Sequence, residues 1–403
     1  MMLLVTPAFG QAGAGAFVFY ENGSPDMGAS YAGAGARAND AATAFTNPAG
    51  MVRLKGSHLL LGTFLLVPTF DLDVDAGSTT VPAGFGAILD GGDLGGVAPG
   101  LGSFGVFQIN DQFNFGFSIN AIAANGADYD TNWAGRAFVT ENFLIAMNFE
   151  PALSYKIDDK WSVGAGLNLV YMSLEQDFKA TNDPLAPTVK IDDADDWEVG
   201  ATLGVMYQHS EDTRFGLTYR TEMEFNLDGD FIVPVPDTLN FDSDMKLPQG
   251  VNGSVYHRIN DKLAVLGDVG WTEWSAFSRV PTTIGPISFT ADRNWDDTWH
   301  VGIGLEYMMN ETWLLRTGFA YDSSPVDDDK LLPDIPVGEQ YRFSVGVQKI
   351  ISTGITFGLS YTLMYSPMEI DKVVLPPSGD VTLDADYDDP FVHFIGMTIS
   401  LTF

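Results

Sequence analysis

The 403-residue chain contains no cysteine. Disulfides, thiolate catalysis and Cys-based zinc sites are therefore excluded. Basic residues are scarce as well. Twenty lysines and arginines stand against 53 aspartates and glutamates, a net charge of −33, so the basic footprint that nucleic acid requires is missing. The five histidines, His58, His209, His257, His300 and His393, are scattered without metal-ligand spacing. No stretch offers 18 apolar residues uninterrupted by charge, Gly or Pro, and no membrane-spanning helix is expected. Nucleophile elbows and phosphate-cradling glycine loops are missing too, so neither enzymatic activity nor a cofactor is expected. Strong acidity often marks disorder, but 45% hydrophobic and 12% aromatic residues argue against it. The length suits one large β-barrel or two to three ordinary domains.

What the chain does have, after residue 56, is alternation at period two. Trp161, Val163, Ala165, Leu167, Leu169 and Tyr171 share one face, opposed by Ser162, Gly164, Gly166 and Asn168. Trp299, Val301, Ile303, Leu305 and Tyr307 oppose His300, Gly302, Gly304 and Glu306. The bulky face begins and ends with aromatics, as in the interfacial girdles of membrane barrels. Charged residues beside glycines on the other face fit a wet lumen rather than a dry core.

Connections supply a count. Short turns are expected at Asn110-Asp111-Gln112, Asp158-Asp159, Ser210-Glu211-Asp212, Asn260-Asp261, Asn310-Glu311 and Ser352-Thr353. Long polar or Pro-rich segments lie near 71–100, 129–141, 178–194, 229–242, 280–292, 323–338 and 371–387. Six short and seven long connections alternate, and thirteen connections join fourteen strands, with the short turns on the periplasmic side. The reading is an all-β, 14-stranded antiparallel transmembrane β-barrel over 57–403. The last strand, Ile395 to Phe403, ends on an aromatic residue, which resembles the assembly signal of bacterial outer-membrane barrels. Residues 1–14, uncharged and ending in Ala12-Gly13-Ala14, read as the remnant of a secretory signal whose basic start is missing.

Before the strands comes Met27 to Leu54, rich in Gly, Ala and Ser and broken at Asn47-Pro48-Ala49-Gly50. It cannot build a core of its own, but small residues let its backbone fit closely inside something else, and Pro48 ends any helix there. The plain alternative is an ordinary Ala/Gly-rich helix and turn.

Several motifs in order carry a resemblance. They are Asn47-Pro48-Ala49, Ile109 to Phe113, Trp161 to Gly164, Tyr219 to Glu222, Leu247-Pro248, Trp271 to Ser275 and Arg316 to Val326. The sequence resembles the FadL family of outer-membrane transporters of long-chain fatty acids and other hydrophobic compounds. The resemblance implies a small, partly helical N-terminal hatch over 15–56 that plugs the lumen. It also implies passive hatch-gated import, with lateral exit at a kinked third strand. Phe17, Phe19 and Tyr20 match the segment beside the family's inner pocket. Asn47, Pro48 and Ala49 match its hatch motif, and the expected break in the third strand is Asn125-Gly126. Phe85, Ile88 and Leu89 are apolar residues in a long loop, where a ligand would cover them. Phe178 closes the stretch Met172 to Phe178, which is acidic where the family tends to be basic, so a neutral hydrocarbon stays open beside a fatty acid.

By alternation Arg214, Arg220, Arg316, Arg342, Glu198, Glu222, Glu224 and Glu306 face inward, and lumen ion pairs that brace the hatch are the expectation. The run Asp71 to Gly77 misses the calcium-loop pattern. The acid clusters at Asp192-Asp193, Asp195-Asp196, 327–329 and 384–389 read as solvated loop charge, with loose divalent-cation binding as the sharper reading. Expected partners are a hydrophobic small molecule, outer-membrane lipid and lipopolysaccharide, and the barrel assembly machinery, with the chain a monomer. A surface or adhesin-like barrel without transport is the competing class.

Overall fold

The computed structural model describes residues 16–18, 20–75, 78, 90–94, 96–183, 185–234, 238–375 and 381–403. Fourteen strands form a closed antiparallel cylinder. They are β1 (Ser57–Pro68), β2 (Ala98–Gln108), β3 (Phe113–Asp128), β4 (Glu141–Lys156), β5 (Trp161–Lys179), β6 (Thr188–Gln208) and β7 (Thr213–Arg220). The ring continues through β8 (Gly250–Arg258), β9 (Leu263–Thr272), β10 (Thr298–Asn310), β11 (Trp313–Asp322), β12 (Gln340–Ser352), β13 (Ile355–Tyr365) and β14 (Phe391–Thr402). Closure comes from β1, whose Leu61 faces Ser103 of β2 on one side and Ile399 of β14 on the other. A ring without edges is the only sheet that satisfies its own backbone in lipid.

The period-two pattern sorts as its chemistry requires. Trp299, Val301, Ile303, Leu305 and Tyr307 of β10 are 41–58% exposed on the outer wall, while His300 and Glu306 between them are buried inside. The six short connections fall at the expected turn residues, all at one end. The other end departs from expectation. Segments 178–194, 229–242, 280–292 and 371–387, read as loops from their polarity, are largely strand. β5 and β6 run on past the wall, and hairpins Met223–Ile232/Thr238–Leu247 and Arg279–Ile284/Ile287–Asp292 extend the sheet. Their acids face water, so polarity hid the strands.

A separate four-stranded sheet at this end joins Asp71–Val74, Gly92–Asp93, Glu369–Leu375 and Val381–Asp388. Leu72, Ile370, Leu383 and Tyr387 are buried beneath it. Its other face sets Asp71 opposite Asp388, and Asp73 and Glu369 opposite Asp386. Like charges directly across a ladder repel. Glu369 is accordingly pushed above the usual carboxylate range, chiefly by Asp386. Asp73 and Asp386 shift the same way, by desolvation first and neighbouring aspartates second.

Four short helices, Pro25–Ala29, Ala34–Arg37, Thr43–Thr46 and Pro48–Arg53, precede β1. They touch β2 through β13. Gly23 and Met27 lie against Gly62 of β1 and Gly396 of β14. A segment that meets all fourteen strands of a closed cylinder lies inside it. This explains its composition. A Cβ at Gly62 would stand 1.7 Å from the Gly23 carbonyl oxygen, and one at Gly318 would stand 2.0 Å from that of Ala29, so neither wall position tolerates a side chain. Asn47 caps the last helix by accepting the Ala49 N–H at 3.1 Å.

Candidate functional site

The ladder between β2 and β3 is incomplete. It runs from Gln108↔Asn114 to Gly102↔Asn120 and stops. Toward Ala98, from Leu101, β2 pairs with β1 alone, and among the described residues the edge of β3 beyond Asn120 has no strand of the wall beside it. A register shift between Ala121 and Ala123 marks the departure. The expected break at Asn125-Gly126 is thus found four residues earlier. Asn125 and Gly126 stay in register with Leu144 and Phe143 of β4. The inserted residue, Ile122, packs into two interior clusters, which a chain running straight could not arrange.

The vacated edge is taken by the N-terminal segment. Val18 bridges Ala123, and Phe17 O accepts the Ala124 N–H at 3.0 Å. The small side chains of Ala123 and Ala124 allow the approach. Phe17 is 2% exposed and sits in a box of Trp274, Phe277 and Trp295, with ring centroids 4.9, 5.2 and 5.9 Å away. Edge-to-face packing of this kind adds to plain burial. Below it is a cavity of about 150 Å³ lined by Val18, Tyr20, Tyr31, Phe45, Arg220 and Trp271, among others.

Over the N-terminal segment lies a second cover, residues 331–338, buried almost throughout. Asp334 fixes it. Its carboxylate takes both ends of the Arg293 guanidinium at 2.7 and 2.5 Å, and its carbonyl accepts Asn125 Nδ2 at 2.9 Å and Asn142 Nδ2 at 2.8 Å. Tyr129 Oη donates to Pro333 O at 2.6 Å. Asn125 therefore ties β3 to this cover.

Two buried ion networks hold the inner segment. In one, Arg342 bonds Asp322 and stands 3.2 Å from Glu21 Oε1, while His300 Nδ1 lies 2.9 Å from Asp322. In the other, Arg37 pairs with Asp26 at 2.6 Å and with Asp40, and Arg316 pairs with Glu306 at 2.7 Å. Arg316, Arg342 and Glu306 thus occupy the lumen as pairs. Five expected members do otherwise. Arg214 donates to Ala36 O at 2.5 Å and lies 3.9 Å from the centre of the Tyr256 ring. Glu224 stands 3.5 Å from Lys246 on an outer hairpin. Arg220 stacks 4.0 Å above the Phe45 ring and donates to Phe45 O at 2.9 Å. Glu222 pairs with Lys246 at 2.9 Å on an outer hairpin, beyond the wall, because β7 ends at Arg220. Glu198 accepts its neighbour's N–H, from Val199, and among the described residues no cation reaches it.

Of the expected ligand residues, Phe17 and Tyr20 flank the opening and the cavity. Phe178 lies on the outer extension of β5 against Phe231, 6.0 Å between rings, and does not line the cavity. Phe19, Phe85, Ile88 and Leu89 fall outside the described residues. The hatch motif reaches a different strand than anticipated. Asn47 Nδ2 donates to Gly35 O at 2.8 Å and to Val205 O of β6 at 3.2 Å, not to β3. Pro48 and Ala49 pack over Gly164 of β5. Sequence reasoning missed Trp274, Phe277 and Trp295. Loop aromatics carry no periodicity, although Trp274 stood inside a quoted motif.

A fourteen-stranded barrel with an apolar outer girdle and a segment folded into its lumen is an outer-membrane transport architecture. The chain belongs to the outer membrane protein transport protein family (OMPP1/FadL/TodX), whose model matches residues 5–370. It is 27% identical to a long-chain fatty acid transport protein of Escherichia coli O6:H1, over 87% of each chain. It is 24% identical to outer membrane protein P1 of Haemophilus influenzae, over 89% of this chain and 87% of that one. In fold it is similar to a Pseudomonas aeruginosa FadL homologue, with a TM-score of 0.84, 20% identity and 96% and 100% of the two chains covered. The Pseudomonas putida toluene transporter TodX gives a TM-score of 0.66, 15% identity and coverage of 90% and 94%.

Proposed function

We propose that this barrel imports hydrophobic small molecules, fatty acids or hydrocarbons, by passive diffusion, and that they leave sideways between β2 and β3. The observation that supports the reading is that the β2–β3 ladder ends at Asn120 among the described residues and that Phe17 and Val18 take the β3 edge beyond it. A backbone pair can be undone and remade, whereas a continuous ladder could not admit a ligand. Residues 15–56 act as the hatch. The cavity beside Tyr20 holds the ligand by apolar burial, and Phe17 leaves the β3 edge as it passes. Relatives that carry fatty acids and toluene support both substrate classes. The barrel acts as a monomer, inserted among lipopolysaccharide by the barrel assembly machinery, and does no chemistry on its cargo.

Because the chain has no cysteine, the gate can be locked selectively. The double variant Val18→Cys/Ala123→Cys is expected to lose uptake of labelled palmitate and toluene when oxidised and to regain it on reduction. Uptake that persists in the oxidised, crosslinked protein would refute the lateral gate.

A further inference from the structure

Inside the wall at the foot of the β2–β3 opening, four buried oxygens have no partner among the described residues. They are Ser118 Oγ, Asn120 Oδ1, Asn148 Oδ1 and Glu150 Oε1, on residues 0–2% exposed. Their strands fix their arrangement. Ser118 faces Glu150 and Asn120 faces Asn148 across the β3–β4 ladder, all on the lumen side. Side chains across a pair stand about 5 Å apart and those two residues along a strand about 7 Å, so the four form one square patch. Ser118, Asn148 and Thr202 flank the Glu150 carboxylate, yet Oε1 receives no hydrogen bond of acceptable geometry. A Cβ at Gly166 would stand 2.1 Å from Oε1, so the wall makes room for this carboxylate.

Buried acceptors are rarely left unmatched, and the amide oxygens of Asn120 and Asn148 can only accept. What the patch lacks is a donor. We infer that it is a subsite for the hydrogen-bond-donating head of a neutral amphiphile, an aliphatic alcohol or a phenol, on its way to the opening. Asn120 is the last β3 residue joined to β2, so a head group leaving there passes the patch. An ionised carboxylate brings only acceptors, which the amide oxygens of Asn120 and Asn148 cannot match, and is disfavoured at this point. The inference rests on the transport reading above and adds to it a preference among cargoes.

The test compares uptake of labelled 1-dodecanol, dodecane and dodecanoate by cells with and without the protein. Asn120→Leu/Asn148→Leu is expected to lower the dodecanol-to-dodecane ratio about tenfold, the scale of a lost hydrogen bond to a buried acceptor. Glu150→Gln, which places an amide donor in the patch, is expected to raise the dodecanoate-to-dodecanol ratio about tenfold. Heat-modifiability on gels checks that each variant folds, and Glu150→Gln serves alone if the leucine pair does not. Ratios unchanged in a folded variant would overturn the subsite and leave those oxygens to buried water. Uptake of none of the three probes above that of empty cells would take down the transport reading with it.

Discussion

Ala124, in the third strand of the wall, gives its backbone N–H to the carbonyl of Phe17, in the N-terminal segment, at 3.0 Å. The seal of the barrel is thus made by the part of the chain that is also docked against the cavity. On the proposed lateral exit, opening the wall and vacating the docking site are one event. The hydrogen bond itself contributes about 1 kcal/mol. Burial of Phe17 among Trp274, Phe277 and Trp295 contributes more, about 3 kcal/mol or above on the scale of Phe-to-Ala losses.

Phe17→Ala is therefore expected to loosen the seal while leaving the barrel folded. Amide exchange at Ala124 should rise by two orders of magnitude or more, for a loss of about 3 kcal/mol. Binding of an apolar ligand beside Tyr20 should weaken by about 1–3 kcal/mol. Exchange at Ala124 as slow as in the parent would refute the docking role of the ring.

Asn47→Ala removes donations to Gly35 and Val205 and the cap on Ala49. At about 1 kcal/mol for each bond, the inner segment should be held some 2–3 kcal/mol less firmly. Because Asn47 reaches β6 and not β3, the expected outcome is transient ion conductance through the lumen in planar bilayers, more than altered lateral exit. A variant as silent as the parent would count against that role.

Arg342 is wholly buried between Asp322 and Glu21. Arg342→Met strands two carboxylates, and breaking one side of a buried pair costs about 3–5 kcal/mol. Adding Asp322→Asn, which keeps an acceptor for His300, and Glu21→Gln is expected to restore much of the loss. The temperature of the gel shift measures it, and equal shifts for the single and triple variants would contradict the coupling.

The acidic sheet at the outer mouth makes a pH-dependent claim. Glu369, Asp73 and Asp386 have raised pKa values, so the folded sheet binds more protons than the unfolded chain. Its stability then grows as pH falls from neutral toward the ordinary carboxylate range, and is lost as pH rises through the raised values. Protease resistance around 369–388 should increase on mild acidification, and Asp386→Asn should give the same protection at neutral pH. Resistance that falls on acidification would reverse the sign and refute it. Salt should mute the effect.

The wall was legible because lipid outside and water or a small-residue plug inside impose opposite demands on alternate residues. Trp299 to Tyr307 show the pattern as plainly in sequence as in space. The six tight turns followed from Asn and Asp at strand ends. The plug was legible as composition, since Gly62 and Gly318 leave no room for anything larger. The site was harder to see. The departure of β3 from β2 turns on one inserted residue, Ile122, which no local signal separates from the Asn125-Gly126 pair. The aromatic box gathers Trp274, Phe277 and Trp295 from the one connection between β9 and β10, where the hairpin Arg279–Ile284/Ile287–Asp292 brings its two ends together, a proximity that no spacing rule marks. Glu222 was placed inside because alternation carries no mark of where the wall ends.

A lumen occupied at every strand has a consequence for the cell's permeability barrier. Nutrient porins trade uptake against vulnerability, since an open aqueous bore admits hydrophilic antibiotics with the food. Here residues 20–54 stand against all fourteen strands, and on the proposed lateral exit traffic moves from the bore to a slit facing lipid. Raising the copy number of such a protein is expected to widen the diet of hydrophobic compounds while leaving the inhibitory concentrations of small hydrophilic drugs where they were.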